Sequence, residues 1–299
     1  MKASIIVATY SIDLLPDTLA CINSLEAQSY ENKEILLVMD RNDRLYEALR
    51  SSIPSSVRIV INERPGLSEA RNTGIENAEG DIIVFIDDDA TAEKGYLSNL
   101  LKNYDDEMII GAGGKILPKE RPNYPEELYW IGGFTYKGYP EERCSVRNVI
   151  GCNMSFRKEV FDKAGLFDTK MGRVGRKLVT AEETEFSLRA LNAFPGGKII
   201  YDPSAVVYHK NHEYRQSIKY FIKRGFHEGQ SKANIEKMYD KKNLTTESSY
   251  LGYLLKNAIP SRIGYALTGK NIIPNLQEIF VLSAVISSVG VGYLYGRTK

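Results

Sequence analysis

The first 115 residues alternate short apolar runs with segments whose apolar residues recur every three or four positions. The apolar runs predict strands at residues 4–8, 34–39, 57–61, 81–86 and 108–110. The segments between them predict helices, the first with Leu15, Leu19, Ile22 and Leu25 on one face. Strands that alternate with helices form right-handed crossovers and therefore a mostly parallel sheet with helices on both faces. The pattern thus predicts an α/β, Rossmann-like fold.

Beyond residue 115 the pattern changes. Residues 116–147 are rich in Pro, Gly and aromatic residues, which predicts a surface excursion. This excursion is either a loop that faces an acceptor substrate or an irregular insertion anchored by its aromatic residues. Residues 148–156 then predict a strand, 182–193 a helix, and 198–201 a short strand that ends before Asp202 and Pro203.

Composition excludes some classes of function. The chain has 299 residues, of which 43% are hydrophobic, and 39 basic residues oppose 38 acidic ones. A net charge of +1 does not favour nucleic-acid binding. The three cysteines show neither zinc-site spacing nor an even-numbered disulfide framework, which is typical of a reducing compartment. The apolar run near Met1 is too short for a signal peptide, so we expect the catalytic part to face the cytoplasm.

Three consecutive carboxylates, Asp87, Asp88 and Asp89, follow the predicted strand at residues 81–86. In open α/β sheets, ligands bind at the carboxyl ends of the strands. Carboxylate oxygens suit Mg²⁺ or Mn²⁺ carrying a phosphorylated substrate. The alternative is that one of these residues caps a helix predicted over residues 94–104. The run therefore predicts a metal–diphosphate site, with a helix cap as its rival.

Seven segments in the same order resemble one family, the inverting, nucleotide-sugar-dependent family 2 glycosyltransferases of the GT-A fold. They are residues 4–10, 34–43, 66–74, 87–89, 151–157, 181–185 and 202–209. The resemblance covers about residues 3–210. It implies a GT-A domain over residues 1–212, with a nucleotide-binding half at 1–115 and an acceptor half at 116–212. Residues 213–299 would be a separate helical region.

The resemblance assigns the donor-binding residues. Ala8, Thr9 and Tyr10 would edge the base and ribose, and Asp40 matches the acidic position that pairs with uracil. A loop Asp that caps the next helix is the alternative for Asp40. Arg41 stands where the family often has a second acid, so the base is left open between uracil and guanine.

The resemblance maps the DxD motif of the family onto the acidic run. Asp87 would approach the ribose and Asp89 would hold Mn²⁺ or Mg²⁺, with Asp88 between them in the donor site in a mainly structural position. His209 matches a late histidine that faces the metal, and His212 competes with it for this role. The metal would neutralise the charge that builds on the departing nucleoside diphosphate.

Arg71 is a candidate contact to the diphosphate, with a surface ion pair as the alternative. Glu182 and Glu183 occupy the position of the catalytic acidic pair of the family, and the resemblance makes Glu183 the general base that deprotonates the acceptor hydroxyl. Acids that merely favour the dipole of the helix are the rival interpretation. Arg173 and Arg176 precede this pair and could bind a phosphate or a hexuronic acid.

The end of the chain is apolar. Residues 279–296 carry no charge and, as a helix, would be about 27 Å long, close to the thickness of a bilayer core. A single span would place Arg297 and Lys299 outside, against the positive-inside tendency. Upstream, residues 214–233 and 250–268 mix Tyr, Leu and Ile with Lys and Arg, as interfacial helices do. We expect an enzyme on the inner membrane face, with or without insertion of its last helix; a soluble helical bundle is the alternative.

Together these observations predict a metal-dependent inverting glycosyltransferase. It would move a hexose or hexuronic acid, favoured as the UDP-sugar, to the hydroxyl of a polyprenyl- or dolichyl-linked glycan, as in N-glycan or surface-polysaccharide assembly. A polyprenyl- or dolichyl-phosphate sugar synthase is the closest rival, because an ionised lipid phosphate needs no general base. The other alternative is a non-catalytic scaffold that binds nucleotide sugars.

Overall fold

The computed structural model describes residues 1–170, 181–239 and 245–299, and these form two compact units. The first unit comprises the described residues of 1–119 and 140–210 and contains the β-sheet. The second comprises residues 120–139 together with the described residues from 211 to 299. Most of the predicted surface excursion therefore belongs with the C-terminal helices. The division into functional domains at residue 212 remains a proposal.

The first unit is built on one mixed sheet. Its described strands are β1 Ala3–Thr9, β2 Lys33–Asp40, β3 Val57–Asn62, β4 Ile82–Asp87, β5 Ala90–Ala92, β6 Ile109–Pro118, β7 Cys144–Val146, β8 Asn153–Arg157 and β9 Lys198–His209. The order is β3-β2-β1-β4-β8-β6-β9-β5, and β7 also pairs with β9. Strands β3, β2, β1 and β4 are parallel, as are β6 and β9, whereas β8, β5 and β7 run antiparallel to their neighbours. The predicted α/β sheet is confirmed.

Strand β9 corrects the prediction of a short strand over residues 198–201. It continues through Asp202 and Pro203 to His209 because the register with β6 shifts there: Gly114 is opposite Asp202 and Lys115 is opposite Val206. Residues 203–205 form a bulge in this ladder, so the missing N–H of Pro203 breaks no regular pair. The sequence predicted that the strand ends before Asp202 and Pro203, whereas in the structure the strand continues through the bulge to His209.

Helices cover the sheet. Those of the first unit are α1 Leu15–Glu26, α2 Asp43–Arg50, α3 Leu67–Asn77, α4 Tyr96–Leu101, α5 Lys158–Ala164 and α6 Glu182–Ala193. Helix α3 approaches β1 so closely that a Cβ atom on Gly74 would lie 2.6 Å from Cγ2 of Ile6. Phe85, Phe161 and Phe186 form part of the adjacent buried core. Glycine at position 74 thus lets α3 lie directly on the strand that leads to the predicted donor site.

The second unit is helical in its described residues. It contains α7 Ile218–Tyr239, α8 Thr245–Tyr253, α9 Ile259–Leu267 and α10 Ile272–Thr298, with a π-helical turn, Leu254–Ala258, between α8 and α9. Aromatic residues of the excursion pack here: the ring of Tyr124 lies 4.9 Å from that of Phe221, and Tyr136 lies 4.8 Å from Tyr250. This packing supports the interpretation of the excursion as an insertion anchored by its aromatic residues.

Among the described residues, one helix is long and apolar enough to cross a membrane, judged by length and composition. It is α10, whose most apolar window of 18 residues has a mean hydropathy of 1.8 and is 28% buried within the protein. The helix begins at Ile272 rather than at residue 279, because polar residues such as Asn275 and Gln277 are accommodated in its first turns.

Candidate active site

The sheet brings three of the predicted residues together at its carboxyl edge. Asp87 ends β4, opposite Ala8 of β1. Strand β5 then pairs with β9 so that Ala90 is opposite His209, which places this histidine beside Asp89. The helix that follows, α4, is capped by Gly95 at its N-terminus. The rival interpretation, an aspartate that caps this helix, is therefore wrong.

The distances within this cluster are short. The Nε2 atom of His209 lies 3.0 Å from Oδ1 of Asp89 and 3.6 Å from Oδ2 of Asp87. Cys152 completes the group, since Asp87, Cys152 and His209 each offer one ligand atom within 4.8 Å of the others. Two carboxylates and an imidazole are a donor set that suits Mn²⁺ and accepts Mg²⁺ through the carboxylates. The residues present therefore fit a divalent cation.

The ionisable groups of the cluster shift one another's pKa values. Burial disfavours the imidazolium form of His209, but Asp89 and Asp87 outweigh it and raise the pKa of His209 to about 9. Burial also opposes ionisation of Asp87, yet His209 and Arg71 together hold the pKa of its carboxyl below the ordinary value. At neutral pH the histidine is thus a cation that balances the carboxylates, and a metal ion would take over this role.

Asp88 differs from its two neighbours. Its carboxyl is buried and hydrogen-bonded to the Thr9 side chain. Burial and the charge of Asp89 together raise the pKa of Asp88 to about 8. Its Oδ2 atom has no hydrogen-bond partner among the described residues. A carboxyl that stays largely protonated is a poor metal ligand, which supports the structural position predicted for Asp88.

Arg71 is buried, so the alternative of a surface ion pair is wrong. Its Nη1 atom lies 3.1 Å from Oε1 of Glu182, and its Nη2 atom lies 3.8 Å from Oδ1 of Asp87 and donates to the carbonyl of Gly151 at 3.4 Å. Its guanidinium also lies over the ring of Phe167, 5.7 Å from the centroid. Arg71 therefore joins the first residue of α6 to the end of β4.

The two glutamates of the predicted catalytic pair have different surroundings. Glu182 is buried against Arg71, whereas Glu183 is half-buried. The residue before them, Ala181, has φ 88° and ψ 17°, a left-handed conformation that a non-glycine residue adopts at a cost of about 1–3 kcal/mol. Such strain concentrates at functional sites. The strained start of α6 orients both glutamates.

This difference gives a test of stability. Glu182→Ala is expected to lower the free energy of unfolding by about 3–5 kcal/mol, because it leaves the buried charge of Arg71 without its main partner. The matched control is Glu183→Ala, on the same helix turn, which we expect to cost less than about 1 kcal/mol. Urea unfolding of both variants measures the difference, and equal losses would contradict the assignment of Glu182 to the buried pair.

Asp40 lies at the end of β2, and Asn42, not Asp40, caps the following helix with a hydrogen bond from the backbone N–H of Leu45. The alternative role as a helix cap is therefore wrong. Asn62, opposite Asp40 in β3, donates from Nδ2 to Oδ1 of Asp40 at 2.7 Å. Burial raises the pKa of the Asp40 carboxyl above its ordinary value, and the bond from Asn62 opposes this shift.

The remaining predicted residues lie as follows. Thr9 is buried, Ala8 is half-buried and the Tyr10 side chain is 67% exposed at the end of β1. The ring of His212 packs against that of Tyr214 in the second unit, 5.5 Å between centroids. Arg173 and Arg176 lie outside the described residues.

Sequence reasoning missed two residues of the site, Asn62 and Cys152. Asn62 ends the strand next to β2, so the rule that neighbouring strand ends meet could have indicated it. Cys152 lies within a segment that matches the family but carries no signal of its own, because a single cysteine is typical of a buried core.

Comparison with known proteins identifies the class. Glycosyl transferase family 2 matches residues 4–165. The chain is 32% identical to the glucosyl-dolichyl phosphate glucuronosyltransferase of Haloferax volcanii, over 99% of this chain and 96% of that protein. It is 26% identical to a dolichyl N-acetyl-α-D-glucosaminyl phosphate diacetamidodideoxy-glucuronosyltransferase of Methanococcus voltae, over 71% of this chain and 67% of that one.

A solved structure with the same fold is the mannosyltransferase PcManGT of Pyrobaculum calidifontis in complex with GDP-Man and Mn²⁺. It has a TM-score of 0.61 and 19% identity, covering 98% of this chain and 87% of that one. The fold is therefore the predicted GT-A fold. The chain belongs to glycosyl transferase family 2. It is a glycosyltransferase, so the alternative of a non-catalytic scaffold is not retained.

Proposed function

We propose that this enzyme transfers a sugar from a nucleotide sugar to a hydroxyl of a lipid-linked glycan. The observation that carries the proposal is the cluster of Asp87, Asp89 and His209 at the carboxyl edge of the sheet. A mixed carboxylate–imidazole group at this edge suits a metal-bound diphosphate.

The donor would bind along the ends of β1 and β2. Asp40 is held by Asn62 and, as a carboxylate, accepts a hydrogen bond from a ring N–H of the base. Uracil and guanine both offer such an N–H, so the geometry of Asp40 is compatible with either. Ala8, Thr9 and Tyr10 would flank the base and ribose, and the exposed Tyr10 ring would stack on the base.

Asp89 and His209 are the proposed metal ligands, with Asp87 between the metal and the ribose. A bound Mn²⁺ or Mg²⁺ would supply Lewis-acid stabilisation of the leaving nucleoside diphosphate. Arg71 is too buried to be a main diphosphate contact, and we assign it to holding Asp87 in place.

Glu183 is the proposed general base. Its neighbour Glu182 is buried and pairs with Arg71, whereas Glu183 is half-buried and, by its place in the acidic pair of the family, would accept a proton from an acceptor hydroxyl. Glu182, the first acid of the family pair, would instead fix the orientation of the helix start.

The acceptor and the sugar are proposed from the relatives. The relatives from Haloferax volcanii and Methanococcus voltae are both named as glucuronosyltransferases that act on a dolichyl-phosphate-linked sugar, so we propose a hexuronic acid donor and a polyprenyl- or dolichyl-phosphate-linked sugar as acceptor. Arg173 and Arg176 remain candidates for binding the carboxylate of that sugar or a phosphate. A lipid-linked acceptor implies action at a membrane surface, and we propose its cytoplasmic face.

The test is a transfer assay with purified protein and Mn²⁺. Labelled UDP-glucuronic acid, UDP-glucose and GDP-mannose are offered with a dolichyl-phosphate-linked hexose or with dolichyl phosphate alone. We expect label from the UDP-hexuronic acid on the lipid-linked hexose. Transfer only to dolichyl phosphate would favour the sugar-phosphate synthase, and transfer only from GDP-mannose would exclude the proposed donor.

A further inference from the structure

The last helix is attached to α7 along one face. A Cβ atom on Gly229 would lie 2.0 Å from the carbonyl oxygen of Val289, and one on Gly292 would lie 2.0 Å from that of Phe226. One turn further on, a Cβ on Gly296 would lie 2.8 Å from Cβ of Ala233. Because both residue numbers rise together, the two helices run parallel with their backbones in contact.

Polar bonds reinforce this pair. Ser288 donates to the carbonyl of Ile222 at 2.6 Å, and Lys237 donates to that of Gly296 at 2.9 Å. Tyr293 of α10 also donates to Glu236. The pair is therefore joined from the first turn of α7 to its last.

Helix α7 is too charged to enter a bilayer. Glu228 lies 3.0 Å from Lys232 and 3.5 Å from Arg224 within it. Lys219, Lys223 and Lys237 add further charge to the helix. If α10 crossed the membrane, it would have to separate from α7 or take these charges into hydrocarbon, which is strongly unfavourable. The glycine contacts and the hydrogen bonds make separation costly as well.

More than half of the large apolar side chains that the described part of this unit exposes lie between residues 251 and 280. The others lie on or next to α7 and on the last turns of α10, at Val291, Leu294 and Tyr295. From α8 to α9 the exposed apolar side chains include Leu251, Leu255, Ile263 and Leu267, which are spaced by four, eight and four residues. The start of α10 adds Ile272, Ile273, Leu276 and Phe280. We call these eight residues the apolar stripe; Leu267, Ile273 and Phe280 are 82%, 69% and 68% exposed. The part on α8 and α9 extends about 24 Å along these helices. An interfacial helix inserts only about 5–10 Å into a leaflet, so a stripe of this length can insert only if its helices lie in the plane of the surface.

The charge around the stripe indicates its partner. Residues 248–277 contain no Asp or Glu but contain Lys256, Arg262 and Lys270. Arg262 is paired with Glu127 and Glu278, while Lys256 and Lys270 are exposed. An apolar stripe flanked by lysines and free of carboxylates is complementary to a bilayer with anionic headgroups.

We propose that α8, α9 and α10 lie in the plane of an anionic membrane surface, with the apolar stripe inserted into one leaflet, and that α10 does not cross the bilayer. This proposal rests on the proposed action on a lipid-linked acceptor. It adds the mode of membrane binding and the residues responsible.

Flotation of the full-length protein with vesicles tests the surface. We expect binding to phosphatidylglycerol–phosphatidylcholine vesicles at least tenfold stronger than to phosphatidylcholine alone. The double variant Leu267→Asp/Ile273→Asp should bind at least tenfold more weakly than the wild type. The matched control, Ile218→Asp/Met238→Asp, changes two exposed apolar residues of α7 by the same charge and should stay within twofold. The proposal is overturned if the two double variants bind the vesicles equally. It is also overturned if the wild type forms dimers through the stripe and does not bind vesicles.

Labelling distinguishes an in-plane helix from a span. The substitutions Asn271→Cys and Thr298→Cys, near the two ends of α10, are made one at a time in a Cys144→Ser background, in which the remaining Cys21 and Cys152 are buried. A membrane-impermeant maleimide is then added outside the vesicles. We expect both sites to react, whereas protection of one of them overturns the proposal.

Transfer to a short-chain, water-soluble acceptor, measured without vesicles, tests the proposed function separately. The stripe variant should retain this activity, and its absence from the wild type would refute the function while leaving the flotation result valid.

Discussion

Replacing Glu183 by Gln is expected to lower the rate of sugar transfer to a hydroxyl acceptor by about 10²–10⁴-fold, the usual contribution of a general base. The amide keeps the size and the polar contacts of the side chain but cannot accept the proton. Since Glu183 is half-buried and the buried pair is made by Glu182, the substitution should leave stability and donor affinity almost unchanged. Steady-state kinetics with saturating donor measures the fall as a loss of kcat.

The same variant separates the two candidate acceptors. A lipid phosphate is already ionised, so transfer to dolichyl phosphate would lose little when Glu183 becomes Gln. Glu159→Gln, on the first turn of α5, is a suitable control because it makes the same change in another helix. Full activity of Glu183→Gln on the lipid-linked sugar would remove this residue from the catalytic role.

Asp89→Ala is expected to abolish the dependence of transfer on Mn²⁺ and to lower its rate by about 10³-fold, since it removes a proposed ligand that lies 3.0 Å from His209. The neighbouring substitution Asp88→Asn is the control, because a carboxyl whose pKa is about 8 is already largely neutral at pH 7. Thermal unfolding with and without Mn²⁺ and nucleoside diphosphate measures binding apart from turnover. Mn²⁺-induced stabilisation of Asp89→Ala equal to that of the wild type would reject Asp89 as a ligand.

The affinity for Mn²⁺ should also depend on pH. His209 has a pKa of about 9 and must lose its proton before its nitrogen can bind a metal. Protons therefore compete with the metal below pH 9, and we expect the affinity to rise about tenfold for each pH unit between 6 and 8 and to level off above 9. Calorimetric titration across this range checks the slope, and His209→Gln should flatten it.

The sequence predicted the first half of the fold well because β1, β2 and β4 are mostly buried and appear in the sequence as continuous apolar runs. It failed at β9, where Pro203 suggested an end to the strand. Only the pairing with β6 shows that residues 203–205 bulge and the strand resumes, and such a register depends on a partner nearly 90 residues away. The sequence also did not predict that residues 120–139 group with the C-terminal helices, because this grouping depends on aromatic contacts such as that of Tyr124 with Phe221.

At the site, the acidic run indicated Asp87 and Asp89, the family resemblance added His209, and the structure brings these three together. Sequence spacing did not separate the two glutamates, since adjacent residues of a helix start look alike until their neighbours are known. Arg71 makes the distinction by pairing with Glu182 across more than 100 residues. The contribution of Asn62 to Asp40 likewise depends on the register of β2 with β3.

The pairing of Ala90 with His209 has a consequence for how this enzyme can diversify. It closes a loop of 120 residues, from Ala90 to His209, and β6 holds β9 on its other side, where Pro118 is opposite His209. The entropy of closing so long a loop changes by only about 0.6 kcal/mol for each doubling of its length. Insertions between β6 and β7 should therefore leave the acid–histidine cluster almost unaffected. Such a chain can lengthen or replace the segment at residues 120–139 during evolution while its chemistry stays fixed.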